Sequence, residues 1–240
     1  MPCFCKCSKT TQLGGAVMIM AASVALSNGL VNAGQDGNMG GQATQQSFTL
    51  ETLLTRDLTY ATPGNERYDA AWDKIQSQIG KPAPSFNVGE WQQLSGEANV
   101  GDIKSMRGDI VVIDFWGTWC PPCRAAMPKN SEMAEKYASK DVRFLGICNT
   151  NGSDSMMETA EAHDGRFPMA ADLNDQTKDA YGVQWWPYYV VVDREGIIRA
   201  AGLRSDKIST VVDRLLAIQP PKDKDETETE TETTPRRRNR

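Results

Sequence analysis

Short apolar runs rich in β-branched residues alternate with helical patterns in the second half of the chain, and this alternation limits the folds available to it. Each run is continuous, which is typical of strands buried on both faces. The runs occupy residues 109–116, 142–149, 188–193 and 196–202, and helical patterns occupy 122–139, 154–163, 174–181 and 205–218. Strands that alternate with helices and end in a hairpin predict an α/β fold, with helices on both faces of a mixed sheet.

Turn residues and shifts in composition divide the chain into segments. GKPAPSF at 80–86 begins the main domain and Pro220-Pro221 ends it, so the main domain is predicted to span 80–219. Residues 34–79 precede it as a Gly- and Gln-rich linker and a short helical N-terminal extension, whose helical spacing runs from 48 to 79. We expect the extension to pack on the main domain; peptide docking or dimerisation is the alternative.

The two ends of the chain differ in character from the domain. Lys6 and Lys9 precede an apolar stretch at 13–26, and Val31-Asn32-Ala33 fits a small-residue cleavage site. The stretch is shorter than the roughly 20 residues that span a bilayer. The sequence therefore predicts a signal peptide at 1–33 and an exported protein, periplasmic or otherwise extracytoplasmic, with an uncleaved membrane anchor as the alternative. Residues 220–240 are predicted to form a disordered charged tail.

Composition and cysteine positions narrow the class of protein. The formal net charge is −5, which gives no reason to expect a nucleic-acid partner. Six cysteines are too few for a disulfide scaffold in 240 residues. Cleavage after Ala33 would leave only Cys120, Cys123 and Cys148, in a compartment where disulfides can persist.

The segment DFWGTWCPPCRAAMP, residues 114–128, carries the chemistry. Pro122 suits the first turn of a helix, so Cys120 is predicted at a helix N-terminus, where unpaired N–H groups and the helix dipole stabilise a thiolate. Arg124 adds positive charge, or is simply an exposed helix residue. Cys123 is close enough to form a disulfide with Cys120, and a link across two residues ties no distant parts of the chain together. Reactivity therefore explains the pair better than stability.

FWGTWCPPC resembles the active site of the thioredoxin superfamily. With GKPAPSF, RAAMP, YGVQWWP and VVVDREG, the pattern over about 80–219 resembles the exported TlpA/ResA-like branch of thiol-disulfide oxidoreductases. The resemblance implies a thioredoxin-like fold with a mixed sheet of four to five strands flanked by helices. It also implies disulfide exchange with other proteins through a redox-active disulfide, a chemistry that requires no cofactor.

The resemblance assigns roles to positions near the disulfide. Cys120 would be the nucleophile that forms a mixed disulfide, and Cys123 would resolve it. Pro121 and Pro122 would tune the couple by fixing the backbone between the thiols. Pro187 matches the cis-proline whose loop faces the disulfide and offers backbone groups to a substrate.

Asp114 lies six residues before Cys120, where thioredoxin itself keeps a buried acid. Such an acid has a raised pKa and can take the proton of Cys123; a satisfied carboxylate at a strand end is the alternative. The glutamate that the TlpA/ResA-like branch often carries is replaced by Ala126, which weakens any inference of a role in cytochrome maturation. Trp119 is interpreted as a substrate lip, while Trp186 either narrows the substrate groove or packs structurally.

Other classes of function remain open from the residues alone. A metal-binding module would need two more ligands, for which Cys148 and His163 are candidates, although Cys148 fits an inert buried thiol and His163 a helix end. A thiol peroxidase lacks its Thr-x-x-Cys setting, because Trp119 directly precedes Cys120. A non-catalytic interaction domain would tolerate replacement of Cys120.

The branch's exported members favour one direction of reaction. They commonly act as reductants fed from the membrane, so we expect a reductant with protein thiol and disulfide substrates and a membrane-linked electron donor. A monomer is expected.

Overall fold

A five-stranded mixed sheet forms the centre of the protein. The computed structural model describes residues 49–50, 53–61, 63–64, 66–92 and 100–219. The strands are β1 (Ile110–Trp116), β2 (Val142–Cys148), β3 (Met169–Ala171), β4 (Tyr188–Val192) and β5 (Ile198–Leu203), in the order β3-β2-β1-β4-β5. The first three strands are parallel, while β4 runs antiparallel to β1 and β5 antiparallel to β4. The predicted thioredoxin-like architecture is confirmed.

The strands with long apolar runs were predicted within two residues of their observed ends, and β3 was missed. Every residue of β1 and β4 is buried, as their continuous apolar runs indicate. β3 has only three residues, so it carries no periodic pattern of its own. It forms because residues 169–171 pair with the exposed edge of β2.

Five helices accompany the sheet among the described residues. They are α1 (Glu66–Gln76), α2 (Pro121–Ala138), α3 (Met156–Ala162), α4 (Gln176–Ala180) and α5 (Ile208–Ile218). Short 3-10 turns occur at Arg56–Leu58, Ile103–Met106 and Ser153–Ser155. α5 buries Ile208, Val211, Val212 and Leu215, the face expected from their spacing.

The extension was expected to be helical from 48 to 79, and its first half is not. Leu53 and Leu54 are buried in an irregular segment that leads into a 3-10 turn. Apart from the hydrogen bonds of this turn, the backbone here bonds to the edge of β5: Arg204 N–H donates to the Leu58 carbonyl at 3.0 Å, and Thr59 bridges Leu203. Pairing with a sheet edge therefore overrides the local helical spacing.

The second half of the extension is helical and docks on the domain. Ile75 of α1 is fully buried and lies against Gly202 of β5, where a Cβ would come within 2.6 Å of the Ile75 Cδ1 atom. Gly202 also has φ +67°, a conformation that glycine adopts readily. The expectation that the extension packs on the main domain is thus confirmed for these residues.

The predicted signal peptide, the linker up to residue 48 and the charged tail lie outside the described residues. Within the described segments, no helix is both long and apolar enough to span a bilayer.

Candidate active site

Cys120 and Cys123 form a disulfide at the start of α2. Their Cα atoms are 5.3 Å apart. Cys120 is the N-cap, the prolines that follow occupy the first helical positions, and the Cys120 Sγ atom accepts a hydrogen bond from the Cys123 N–H at 3.2 Å. One of the backbone N–H groups at the helix start, which were predicted to stabilise a thiolate, therefore contacts this sulfur.

The two cysteine residues differ slightly in solvent exposure. Cys123 is fully buried, whereas Cys120 is 2% exposed, and Pro121 and Pro122 between them are exposed. Arg124 is half-buried and its guanidinium Nη1 donates to the Thr118 carbonyl at 3.0 Å. Arg124 thereby ties the first turn of α2 to the loop that carries Cys120.

The loop before β4 faces the same end of the sheet. The Trp186–Pro187 peptide is cis, which confirms the geometry predicted for Pro187. The Trp186 ring meets the Trp119 ring edge to face, with centroids 5.7 Å apart. Trp119 is 45% exposed, and its indole N–H donates to the Asn151 carbonyl at 3.1 Å. The two tryptophans predicted at the substrate side thus form one aromatic lip.

Asp114 is fully buried in β1, as predicted, and has an unexpected partner. Its Oδ2 atom accepts a hydrogen bond from Asn130 Nδ2 at 2.9 Å, and the same nitrogen lies 3.1 Å from the Tyr189 hydroxyl. Its Oδ1 atom has no hydrogen-bond partner within the described part of the chain. Burial raises the pKa of Asp114 to about 8, while the Asn130 hydrogen bond acts in the opposite direction.

Asn130 was missed from the sequence. It lies seven residues after Cys123, two turns along α2, and its side chain is fully buried against β1. A polar residue at a position whose helical spacing matches that of Cys123 and Met127 is the signal that would have found it.

Cys148 is buried and unpaired, as expected of an inert thiol. Burial raises its pKa to about 12. His163 is the C-cap of α3, the role favoured from the sequence. Across the described ranges, no three His, Cys, Asp or Glu side chains come together in a way that could hold a metal ion.

A groove of about 320 Å³ lies beside the redox centre. One side includes Pro122, Trp186 and Pro187, and the other includes Tyr60, Arg67 and Tyr68 from the extension. The sequence predicted a substrate role for Trp186 and Pro187 and a redox-tuning role for Pro122, and it offered no reason to add the three residues of the extension.

Comparison with known proteins identifies the family. The model of the AhpC/TSA family matches residues 79–201, just over half of the chain. A thiol-disulfide oxidoreductase ResA of Bacillus cereus is 32% identical over 124 residues, covering 52% of this chain and 69% of that protein. ResA of Geobacillus thermodenitrificans is 30% identical over 155 residues, covering 65% of this chain and 86% of that protein.

A solved structure agrees with the fold. A crystal structure of a thioredoxin-like superfamily protein aligns with a TM-score of 0.51 at 20% identity, covering 58% of this chain and 99% of that one, which supports the fold alone. The family match and the ResA relatives confirm the resemblance seen in the sequence, and the Cys120–Cys123 disulfide at a helix start agrees with it. The chain therefore belongs to the AhpC/TSA family of thioredoxin-like proteins and is a thiol-disulfide oxidoreductase of the ResA-like kind.

Proposed function

We propose that this protein reduces disulfides in extracytoplasmic proteins through the Cys120–Cys123 couple. The observation that carries the proposal is the disulfide itself, capped at the start of α2 and adjoining the groove that cis-Pro187 lines. Cys120 is the N-cap of α2 and is slightly exposed, whereas Cys123 is fully buried, so we assign the attack on an external disulfide to Cys120.

The reaction starts from the dithiol form. The Cys120 thiolate attacks one sulfur of the substrate disulfide, which forms a mixed disulfide and releases the other substrate sulfur as a thiolate. Cys123 then loses its proton and attacks the Cys120 Sγ atom, which releases the second substrate thiolate. The substrate gains two electrons and, with two protons, becomes a dithiol; the enzyme becomes the disulfide.

Asp114 is proposed to accept the proton of Cys123 in the second step. Its unpaired Oδ1 atom and its pKa of about 8 suit a base that must take a proton from a thiol whose ordinary pKa is about 8.5. Pro121 and Pro122 fix the backbone between the two sulfurs, and Arg124 fixes the loop before them. The lip of Trp119 and Trp186 and the backbone at Pro187 would hold the substrate segment.

The remaining assignments follow from the proposed direction. A reductant must be reduced again after each turnover, and we assign this step to a membrane-linked dithiol donor. The N-terminal pattern at 1–33 supports export, with an uncleaved anchor as the alternative. The two thiols carry the electrons, so no cofactor or metal is needed, and we propose a monomer.

The test is the equilibrium of the couple against glutathione, followed by tryptophan fluorescence. Thiol couples of this fold span roughly −270 to −120 mV, and a reductant belongs near the reducing end. A Cys120→Ser variant should lose all exchange, while Cys123→Ser should accumulate the mixed disulfide. A potential near the oxidising end would contradict the direction, and rapid peroxide turnover would favour a thiol peroxidase.

A further inference from the structure

The groove beside the disulfide has two walls of different origin. Pro122, from between the cysteines, and cis-Pro187 belong to the redox centre, whereas Tyr60 and Tyr68 belong to the extension. The volume of about 320 Å³ is enough for a large side chain with part of its backbone. Any occupant of the groove therefore lies against the redox centre and the extension together.

The wall that the extension supplies is fixed to the domain at several points. Besides the contact of Ile75 with Gly202, Gln184 Nε2 donates to the Ala71 carbonyl at 3.2 Å. The Tyr60 ring meets the Trp185 ring edge to face, with centroids 6.2 Å apart. Because these contacts already fix the wall in place, a ligand does not have to order it on binding. The entropic cost of binding is therefore lower.

The lining chemistry favours a large apolar side chain. Tyr60 is 39% exposed and is one of three exposed large apolar residues among those described. Tyr68 is half-buried, and the rings of Trp185 and Trp186 extend the same aromatic surface. Tyrosine and tryptophan provide much contact area for little loss of side-chain entropy.

We propose that Tyr60 and Tyr68 of the extension select polypeptide substrates that carry an aromatic or large aliphatic side chain beside the reactive cysteine. The occupant is a segment of the substrate, because the groove continues from the redox centre. A residue next to the cysteine bound to Cys120 lies within about 4 Å of it along the chain. This inference rests on the proposed function and names its substrate class.

The experiment compares two disulfide-bonded peptides that differ only in having Phe or Gly next to the cysteine, with glutathione disulfide as a small probe. The variants are Tyr60→Ala and Tyr68→Ala. Leu173→Ala is the matched control, because Leu173 is also exposed, at 41%, but follows β3 at the opposite edge of the sheet from the extension. The readout is the ratio of kcat/KM for the Phe peptide to kcat/KM for the Gly peptide.

In the unmodified protein we expect the Phe peptide to be preferred by about 10-fold, the effect of burying one aromatic side chain. Tyr60→Ala and Tyr68→Ala should each reduce this ratio several-fold, and Leu173→Ala should leave it unchanged. Two variants are used in case one of them folds poorly. A folding defect would lower the rates for the Phe and Gly peptides together in that variant, and the ratio measured in the other variant would still test the inference.

Four outcomes would overturn the inference. Equal rates for both peptides in the unmodified protein, or a ratio that neither tyrosine substitution changes, would exclude a role for this wall while leaving disulfide exchange in place. A change in oligomeric state on substitution, with the ratio unaltered, would identify the groove as an interface between copies. Failure to exchange with every disulfide, glutathione disulfide included, would refute the proposed function itself.

Discussion

Replacing Asp114 by asparagine should change how the stability of the oxidised protein depends on pH. The carboxyl has a pKa of about 8 in the folded protein, against an ordinary value of 3.8. At pH values between 3.8 and about 8, the Asp114 carboxyl keeps its proton in the folded state and releases it in the unfolded state. The free energy of unfolding of the unmodified protein therefore falls as the pH rises through this window. An asparagine at this position would carry no such proton but would still accept the Asn130 hydrogen bond.

The size of the effect follows from linkage. Each pH unit inside the window changes the contribution of Asp114 by about 1.4 kcal/mol. The Asp114→Asn protein should therefore gain about 2.7 kcal/mol in unfolding free energy relative to the unmodified protein between about pH 5 and pH 7. Below about pH 3 the carboxyl is protonated in both states, and the difference should be constant.

The assay is urea unfolding of both oxidised proteins across this pH range, followed by far-UV circular dichroism. Taking the difference between two proteins cancels every other titrating group, and the intact disulfide removes ionisation of the Cys120 and Cys123 thiols. Leu173→Ala provides a control whose difference from the unmodified protein should not vary with pH. Parallel curves for the Asp114→Asn and unmodified proteins would refute a carboxyl that is held protonated by burial.

Three further predictions concern the same region. Asn130→Leu removes the hydrogen bond that favours the charged carboxylate of Asp114, so the pH midpoint for resolution of the mixed disulfide should rise by about 1 unit in stopped-flow experiments; an unmoved midpoint would contradict this. Burial raises the pKa of Cys148 to about 12, so this thiol should resist iodoacetamide at pH 8 in the folded, reduced protein. Peptide mass mapping measures the labelling, and labelling of Cys148 as fast as that of Cys120 would contradict the prediction. Trp119→Phe should remove much of the fluorescence change between the oxidised and reduced forms; an unaltered change would assign that signal to another tryptophan.

The fold was predictable from the sequence wherever a buried element has a regular local pattern of apolar residues. The continuous apolar runs of β1 and β4 mark strands covered on both faces, and the capping role of Cys120 follows from the prolines after it. β3 lacks such a pattern, and the first half of the extension has a helical spacing that its structure does not follow. Their backbone bonds go to a sheet edge supplied by distant residues, so no local spacing predicts them.

The same distinction applies to the site. Cys120 and Cys123 lie in the first turn of α2 and Asp114 lies in β1 just before it, so the sequence pattern alone was enough to single out all three. Asn130 reaches Asp114 only because α2 packs on β1, and Tyr60 reaches the groove only because the extension pairs with β5. The site residues that could not be predicted from the sequence are those that reach the site through packing between separate secondary-structure elements.

The environment of Asp114 favours a working acid over a structural one. A satisfied carboxylate at a strand end would have partners for both oxygens, yet the Oδ1 atom has none among the described residues. No described cation forms an ion pair with it either, and at pH 7 its burial costs about 4 kcal/mol relative to the unfolded chain. An asparagine would avoid that cost, so the carboxyl destabilises the fold at a position in β1 that contacts α2, the helix whose first turn carries the disulfide. Groups kept at such a cost concentrate where a proton must move. This cost therefore supports our proposal that Asp114 takes the proton of Cys123.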